Sequence, residues 1–246
     1  ESVSVVSDNT GKVLYYSNGV KVFDGSHQKM SGSPNKLQGP VDGMNGTAVQ
    51  GAYSVLKPGS QTEYFLFTGQ GVEGEQNGFR VNMIDMTLPG NGTVADPLGE
   101  MVVSDSLLYN TASELMSAYS SCESDTVWLI GHSPRSYDFI LVLITSDGIQ
   151  SVTPQNVPTP TQEGQGFLIS PGRGSLDFND AGTKIIFTAM NNAGTFLLDF
   201  DKHTGIISNP IEIRVPHVTH PPPATMMYQG YGSEFSPDGT KAYFCA

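Results

Sequence analysis

Phe178-Asn-Asp-Ala-Gly-Thr-Lys-Ile-Ile-Phe187 returns, 57 residues further on, as Phe235-Ser-Pro-Asp-Gly-Thr-Lys-Ala-Tyr-Phe244. A fixed period of that size marks a repeated supersecondary unit, in which each copy is one small antiparallel sheet that cannot bury both faces alone. Working outward, a turn rich in Gly, Asp, Asn or Ser leads into an apolar, aromatic-rich run at three further places. Residues 7–12 precede Val13-Leu-Tyr-Tyr16, residues 57–62 precede Glu63-Tyr-Phe-Leu-Phe67, and residues 121–125 precede Thr126-Val-Trp-Leu-Ile130. With Val13, Tyr64, Val127, Ile185 and Ala242 as corresponding positions, the spacings are 51, 63, 58 and 57 residues. The chain therefore reads as all-β, a single β-propeller domain with blades near 1–47, 48–110, 111–165 and 166–227 and the start of a fifth at 228–246. A parent ring of about seven blades is expected.

The rest of each blade follows from the same chemistry. Third strands are expected at 20–23, after the hairpin signal Asn18-Gly19, and at 78–85, 137–144 and 195–200. Outer strands are expected at 149–152 and from 206 to 215, after turns closed by Gly148 and Gly205. Residues 107–116 read as part of an inter-blade loop, with a short helix as the lesser alternative. Long connections fall at 31–47, 88–100, 153–165 and 216–225; the Pro-rich stretches 157–161 and 221–223 read as rim loops because the repeat continues across the first. Residues 241–246 fall in the second strand of the fifth unit, so a longer polypeptide is expected, its remainder or a neighbouring subunit supplying the next strand.

Composition narrows the class. With 246 residues, 15% charged, 28 Gly and 16 Pro, the chain is turn-rich and long enough for a substantial core. Twelve Lys and Arg against twenty-four Asp and Glu give a formal charge of −12, which repels phosphate backbones and anionic lipid, so neither nucleic acid nor membrane insertion is expected. The start Glu1-Ser-Val-Ser-Val reads as neither signal peptide nor membrane span. Cys122 and Cys245 lack the spacing of a zinc or redox pair, and whether they are free or paired is left open. Asn45-Gly-Thr47 and Asn91-Gly-Thr93 are glycosylation-type sequons, compatible with export.

Ser7-Asp8, Gly11-Lys-Val-Leu-Tyr-Tyr16, Asn18-Gly19, Val22-Phe23, His27-Gln-Lys-Met30, Tyr64-Phe-Leu-Phe67 and Ile84-Asp-Met86 resemble the opening of propeller domains in large secreted bacterial surface proteins. Phe235-Ser-Pro-Asp-Gly-Thr-Lys241 is similar to the turn of surface and lactonase-like propellers with "SPDGTK" blade repeats. The resemblance covers almost the whole chain and implies an extracellular or cell-surface location and a binding or scaffolding role. No acidic or histidine site residue of the lactonase-like members is matched here.

Several groups invite a sharper chemistry. Gly131-His-Ser-Pro-Arg135 begins like a nucleophile elbow but ends in Arg and is followed by a strand. Asp199-Phe-Asp201-Lys-His203 has calcium-loop spacing without the Gly or the twelfth-position Glu, and reads as a turn. His217 and His220 flank Val218-Thr219 without a third ligand, and His27 and His132 read as structural, hydrogen-bonded histidines. Tyr15, Tyr16, Tyr64, Phe65, Phe67, Trp128, Phe187 and Phe244 are assigned to core packing. Partner-binding loops are expected around Asp42, Met44 and Asn45 and around His217, His220, Met226, Met227, Tyr228 and Tyr231. The expectation is a non-enzymatic module for protein or cell-surface glycan binding, adhesion or assembly, with no catalytic residue, cofactor or metal. A lactonase-like propeller hydrolase and a phage or injection-machine receptor-attachment component are the alternatives. Inward-pointing acids repeated at the start of successive blades would favour the enzyme.

Overall fold

The computed structural model describes residues 3–38, 50–69, 78–121, 125–134, 136–158, 174–189, 194–213 and 232–244, and among these no helix occurs. The strands form five antiparallel sheets, each a meander in chain order. The first sheet holds β1 (Ser4–Ser7), β2 (Val13–Ser17) and β3 (Val22–Asp24). The second holds β4 (Ala52–Leu56), β5 (Glu63–Thr68), β6 (Phe79–Asp85) and β7 (Glu100–Tyr109). The third holds β8 (Met116–Ser120), β9 (Thr126–His132), β10 (Asp138–Thr145) and β11 (Gly148–Asn156). The fourth holds β12 (Gly174–Phe178), β13 (Lys184–Ala189), β14 (Gly194–Asp201) and β15 (Ile206–Ile213), and β16 (Ser233–Phe235) with β17 (Ala242–Phe244) make the fifth.

The five segments that define the repeat, β2, β5, β9, β13 and β17, are all second strands of their sheets. β2, β13 and β17 are entered through turns that side-chain oxygens close locally, as Asx-turn chemistry requires. Asp8 accepts the Thr10 N–H at 2.8 Å, Asn179 accepts the Thr183 N–H at 2.8 Å and Asp238 accepts the Thr240 N–H at 3.0 Å. Part of the acidic excess is thereby spent on turns.

The core lies between successive sheets. One cluster joins the first and second through Tyr15, Leu66 and Ile84; another joins the second and third through Phe67, Phe79, Leu129 and Ile140; a third joins the third and fourth through Ile130, Phe139, Phe187 and Phe196. The first strands neighbour one another in sequence, β1 with β4, β4 with β8, β8 with β12 and β12 with β16. Of the aromatics assigned to the core, Tyr15, Phe65, Phe67, Trp128 and Phe187 are buried. Tyr16, Tyr64 and Phe244 are only half-buried, Tyr16 stacking on Phe23 across the first sheet at 5.2 Å.

Residues 107–116 depart from expectation. They hold the end of a ten-residue strand, β7, and the start of β8, with neither a helix nor one continuous loop. The sequence of β7 disguises it: as the last strand of its sheet it exposes Val102, Val103 and Leu107, its pairing with β6 shifts register, and Asp105 takes a φ of 52°. Such an irregular, one-sided strand lacks the alternation that marks a half-buried one.

Candidate functional site

Register identifies the site. Ile185 and Ala242, equivalent in the repeat, pair with Phe178 and Phe235; one step further along the first strands, Asp177 pairs with Ile186 and Glu234 with Tyr243. Asp177 and Glu234 thus occupy the same position on the first strands of adjacent sheets. Because side chains alternate along a strand, the acid preceding each buried or half-buried phenylalanine is turned to the opposite face.

The two carboxyl groups are in different surroundings. Asp177 is half-buried and Glu234 exposed. Burial, followed by the negative charge of Glu234, pushes the Asp177 carboxyl up to about 7, against the lowering effect of a hydrogen bond from Ser233. Tyr53, the second residue of β4, completes the group. Its phenol is pushed up mainly by burial and also by the charges of Asp177 and Glu234, while bonds from the Ala118 backbone and Ser117 on β8 act in the other direction. These groups stand on β4, β8, β12 and β16, first strands of four sheets that neighbour one another in turn.

Backbone on this edge is held by side chains. Gln50 donates through Nε2 to the Leu176 carbonyl at 3.2 Å and accepts the Leu176 N–H on Oε1 at 3.1 Å, satisfying both backbone groups of the residue before Asp177. Ser4 donates to Ser54 at 2.7 Å, tying β1 to β4. Sequence reasoning singled out none of Asp177, Glu234, Tyr53 or Gln50. The available signal was the acid standing immediately before the phenylalanine in both copies of the repeat.

Other singled-out residues are placed elsewhere. Asp42, Met44, Asn45, His217, His220, Met226, Met227, Tyr228, Tyr231, Cys122 and Cys245 lie outside the described residues. The Gly131–Ser133 stretch ends β9 and returns through a turn to β10, with Ser133 Oγ and Thr111 Oγ1 2.9 Å apart. Asp199 is tied to Lys184 and Asn209, and Asp201 accepts from the His203 N–H and the Thr204 hydroxyl, so the acids of the calcium-like stretch are turn and strand ties. Among the described residues no group of three or more His, Cys, Asp or Glu is arranged to hold a metal. Asn91 of the second sequon donates Nδ2 to Asp24 at 2.7 Å and to the Lys29 carbonyl at 2.8 Å.

His132 corrects an expectation. Its ring has no hydrogen-bond partner among the described residues; it lies 5.0 Å from both Phe139 and Phe187. Burial drives it down to about 3 although Asp138 pulls the other way, so the imidazole is neutral. His27 sits on an exposed turn with φ 65°, its Nδ1 3.3 Å from the Tyr16 hydroxyl.

No family model and no curated protein matches the chain. Among solved structures it is similar to an exo-β-1,3-galactanase from Phanerochaete chrysosporium, at 12% identity and a TM-score of 0.42, with 98% of this chain and 58% of that chain covered. The chain thus spans little more than half the length of that protein. That structure is of an enzyme, against the expectation here of a non-enzymatic binding and assembly module. Within this chain, the premise of that expectation, the lack of a convergent polar group, does not hold at Asp177, Glu234 and Tyr53.

Proposed function

We propose that the five sheets are consecutive blades of a β-propeller and that the chain is a hydrolase of glycosidic bonds, with Asp177 as general acid and the exposed Glu234 as its partner carboxyl. The observation that carries this reading is the pair itself: two carboxyl groups at one register position of adjacent first strands, one half-buried and one exposed. Cleaving a glycoside requires a proton for the leaving oxygen and a carboxylate for the anomeric carbon or the attacking water. Environments that push two carboxyl groups apart supply both at one pH. Asp177, still protonated up to about 7, gives the proton. Glu234 acts as base or nucleophile, and Tyr53, kept protonated by burial, lines the same edge.

The test is release of reducing sugar or aglycone from a panel of polysaccharides and aryl glycosides by the wild-type protein, D177N and E234Q. Hydrolysis by the wild type that is lost in both variants supports the assignment. Undiminished hydrolysis in D177N, or cleavage confined to lactones, overturns it.

A further inference from the structure

Two glutamines each dock a side-chain amide on the backbone of another sheet. Gln50, two residues before β4, donates Nε2 to the Leu176 carbonyl at 3.2 Å and accepts the Leu176 N–H on Oε1 at 3.1 Å. Gln155 of β11 does the same to Ile207 of β15, at 2.6 and 3.0 Å. Leu176 and Ile207 are buried, and they stand on β12 and β15, the two edge strands of the fourth sheet, each paired within it on one side only. Buried backbone groups on an open edge need partners. A primary amide offers a donor and an acceptor side by side, so it takes the place of one residue of a further strand. The fourth sheet is thus gripped at both margins by the same chemistry, but only one grip reaches the candidate site. The Leu176 carbonyl belongs to the planar peptide unit that ends at the Cα of Asp177. Holding that oxygen together with the Leu176 N–H restrains the backbone that aims the Asp177 carboxyl.

We propose that Gln50 is a positioning residue for Asp177, its amide clamping the peptide unit from which the acid springs. The idea deepens the hydrolase reading and rests on it for its role, though not for its test. Gln155 is the internal comparison, because its grip lies at the opposite edge of the sheet with β13 and β14 between. Among the described residues, the titratable groups acting on Asp177 or acted on by it are Glu234 of β16 and Tyr53 of β4, while β13 sets the apolar Ile186 opposite. A change at Gln50 alters none of these groups, so a displaced Asp177 titration reports where the carboxyl itself is held. Burial is the leading influence that keeps its proton on, and a loosened backbone that admits water weakens that influence.

The test titrates the Asp177 carboxyl by NMR, in protein labelled with carbon-13 and nitrogen-15, in wild type, Q50M and Q155M. Methionine keeps the length of the side chain and loses both hydrogen bonds. Q50M should lower the midpoint by about one pH unit as water reaches the carboxyl, while Q155M, which breaks the same two bonds at the far edge, should leave it in place. A midpoint unchanged in Q50M, or displaced equally in Q155M, overturns the proposal. Should Q50M not fold, the wild type decides: the Gln50 side-chain amide resonance should follow the Asp177 midpoint and that of Gln155 should not, and a Gln50 amide indifferent to the titration overturns the proposal as well. If the midpoints move as expected while the wild type cleaves no glycoside, the clamp stands and the hydrolase reading falls. If glycosides are cleaved while Q50M titrates like wild type, the hydrolase reading stands and the clamp falls.

Discussion

The charge of Glu234 acts on the Asp177 carboxyl, so single substitutions have signed consequences. E234Q removes the negative charge that helps hold the proton on Asp177; the Asp177 carboxyl titration should shift to lower pH. D177N should reduce kcat by about 10²–10⁴, the usual contribution of a positioned general acid. It should also change stability. Native Asp177 keeps a proton up to about 7, whereas the unfolded chain releases it near 3.8, so the fold loses stability as pH rises through that window. The neutral amide should abolish this slope and raise the urea midpoint at pH 8, by roughly 2 kcal/mol in free energy, with little change at pH 4. His132 behaves in the opposite sense. Its folded value of about 3 lies below the ordinary 6.5, so stability is present above 6.5 and lost as pH falls toward 3. H132F, which fits the ring between Phe139 and Phe187, should raise the acid-side urea midpoint by roughly 1–3 kcal/mol and leave the neutral value nearly unchanged.

At the scale of elements, turns of one sheet serve as seats for rings of the one before. Gly205, at φ 75°, closes the β14–β15 turn beneath Trp128, whose Nε1 donates to the Lys202 carbonyl at 2.9 Å. A Cβ at Gly205 would meet the indole at 2.5–2.8 Å. G205A should therefore cost about 1–3 kcal/mol, through strain and overpacking together, with a matching blue or red shift of the single tryptophan's emission as its burial changes. The turn itself was readable from Asp201 and Gly205, as were all five second strands, because short-range chemistry determines them. What covers the turn was not readable: Trp128 belongs to another sheet, and no local pattern reports a contact made across 74 residues. The same reason hid the site. Asp177 and Glu234 were visible as letters before Phe178 and Phe235, but that they share a face follows from cross-strand register. His132 was visible next to Ser133, whereas its position against Phe187 depends on how the third and fourth sheets pack.

For the molecule as a whole, the core clusters join the first four sheets in a series, and the fifth is described as two strands of three residues each. Amides of the buried second strands β9 and β13 should exchange with solvent more slowly than those of β7, the last strand of its sheet, which exposes Val102, Val103 and Leu107; equal protection across the three would contradict this. Asp177 stands on β12, a side of the pair that Gln50 makes firmer through Leu176. Gln50 and Leu176, which secure that firmer side, lie 126 residues apart. At a synthesis rate of about 5–20 residues per second, the side chain that steadies β12 waits about 6–25 s for the strand it holds. The acid's unusual proton affinity is thus a late acquisition of the nascent chain, absent until an early-made glutamine has met a late-made strand.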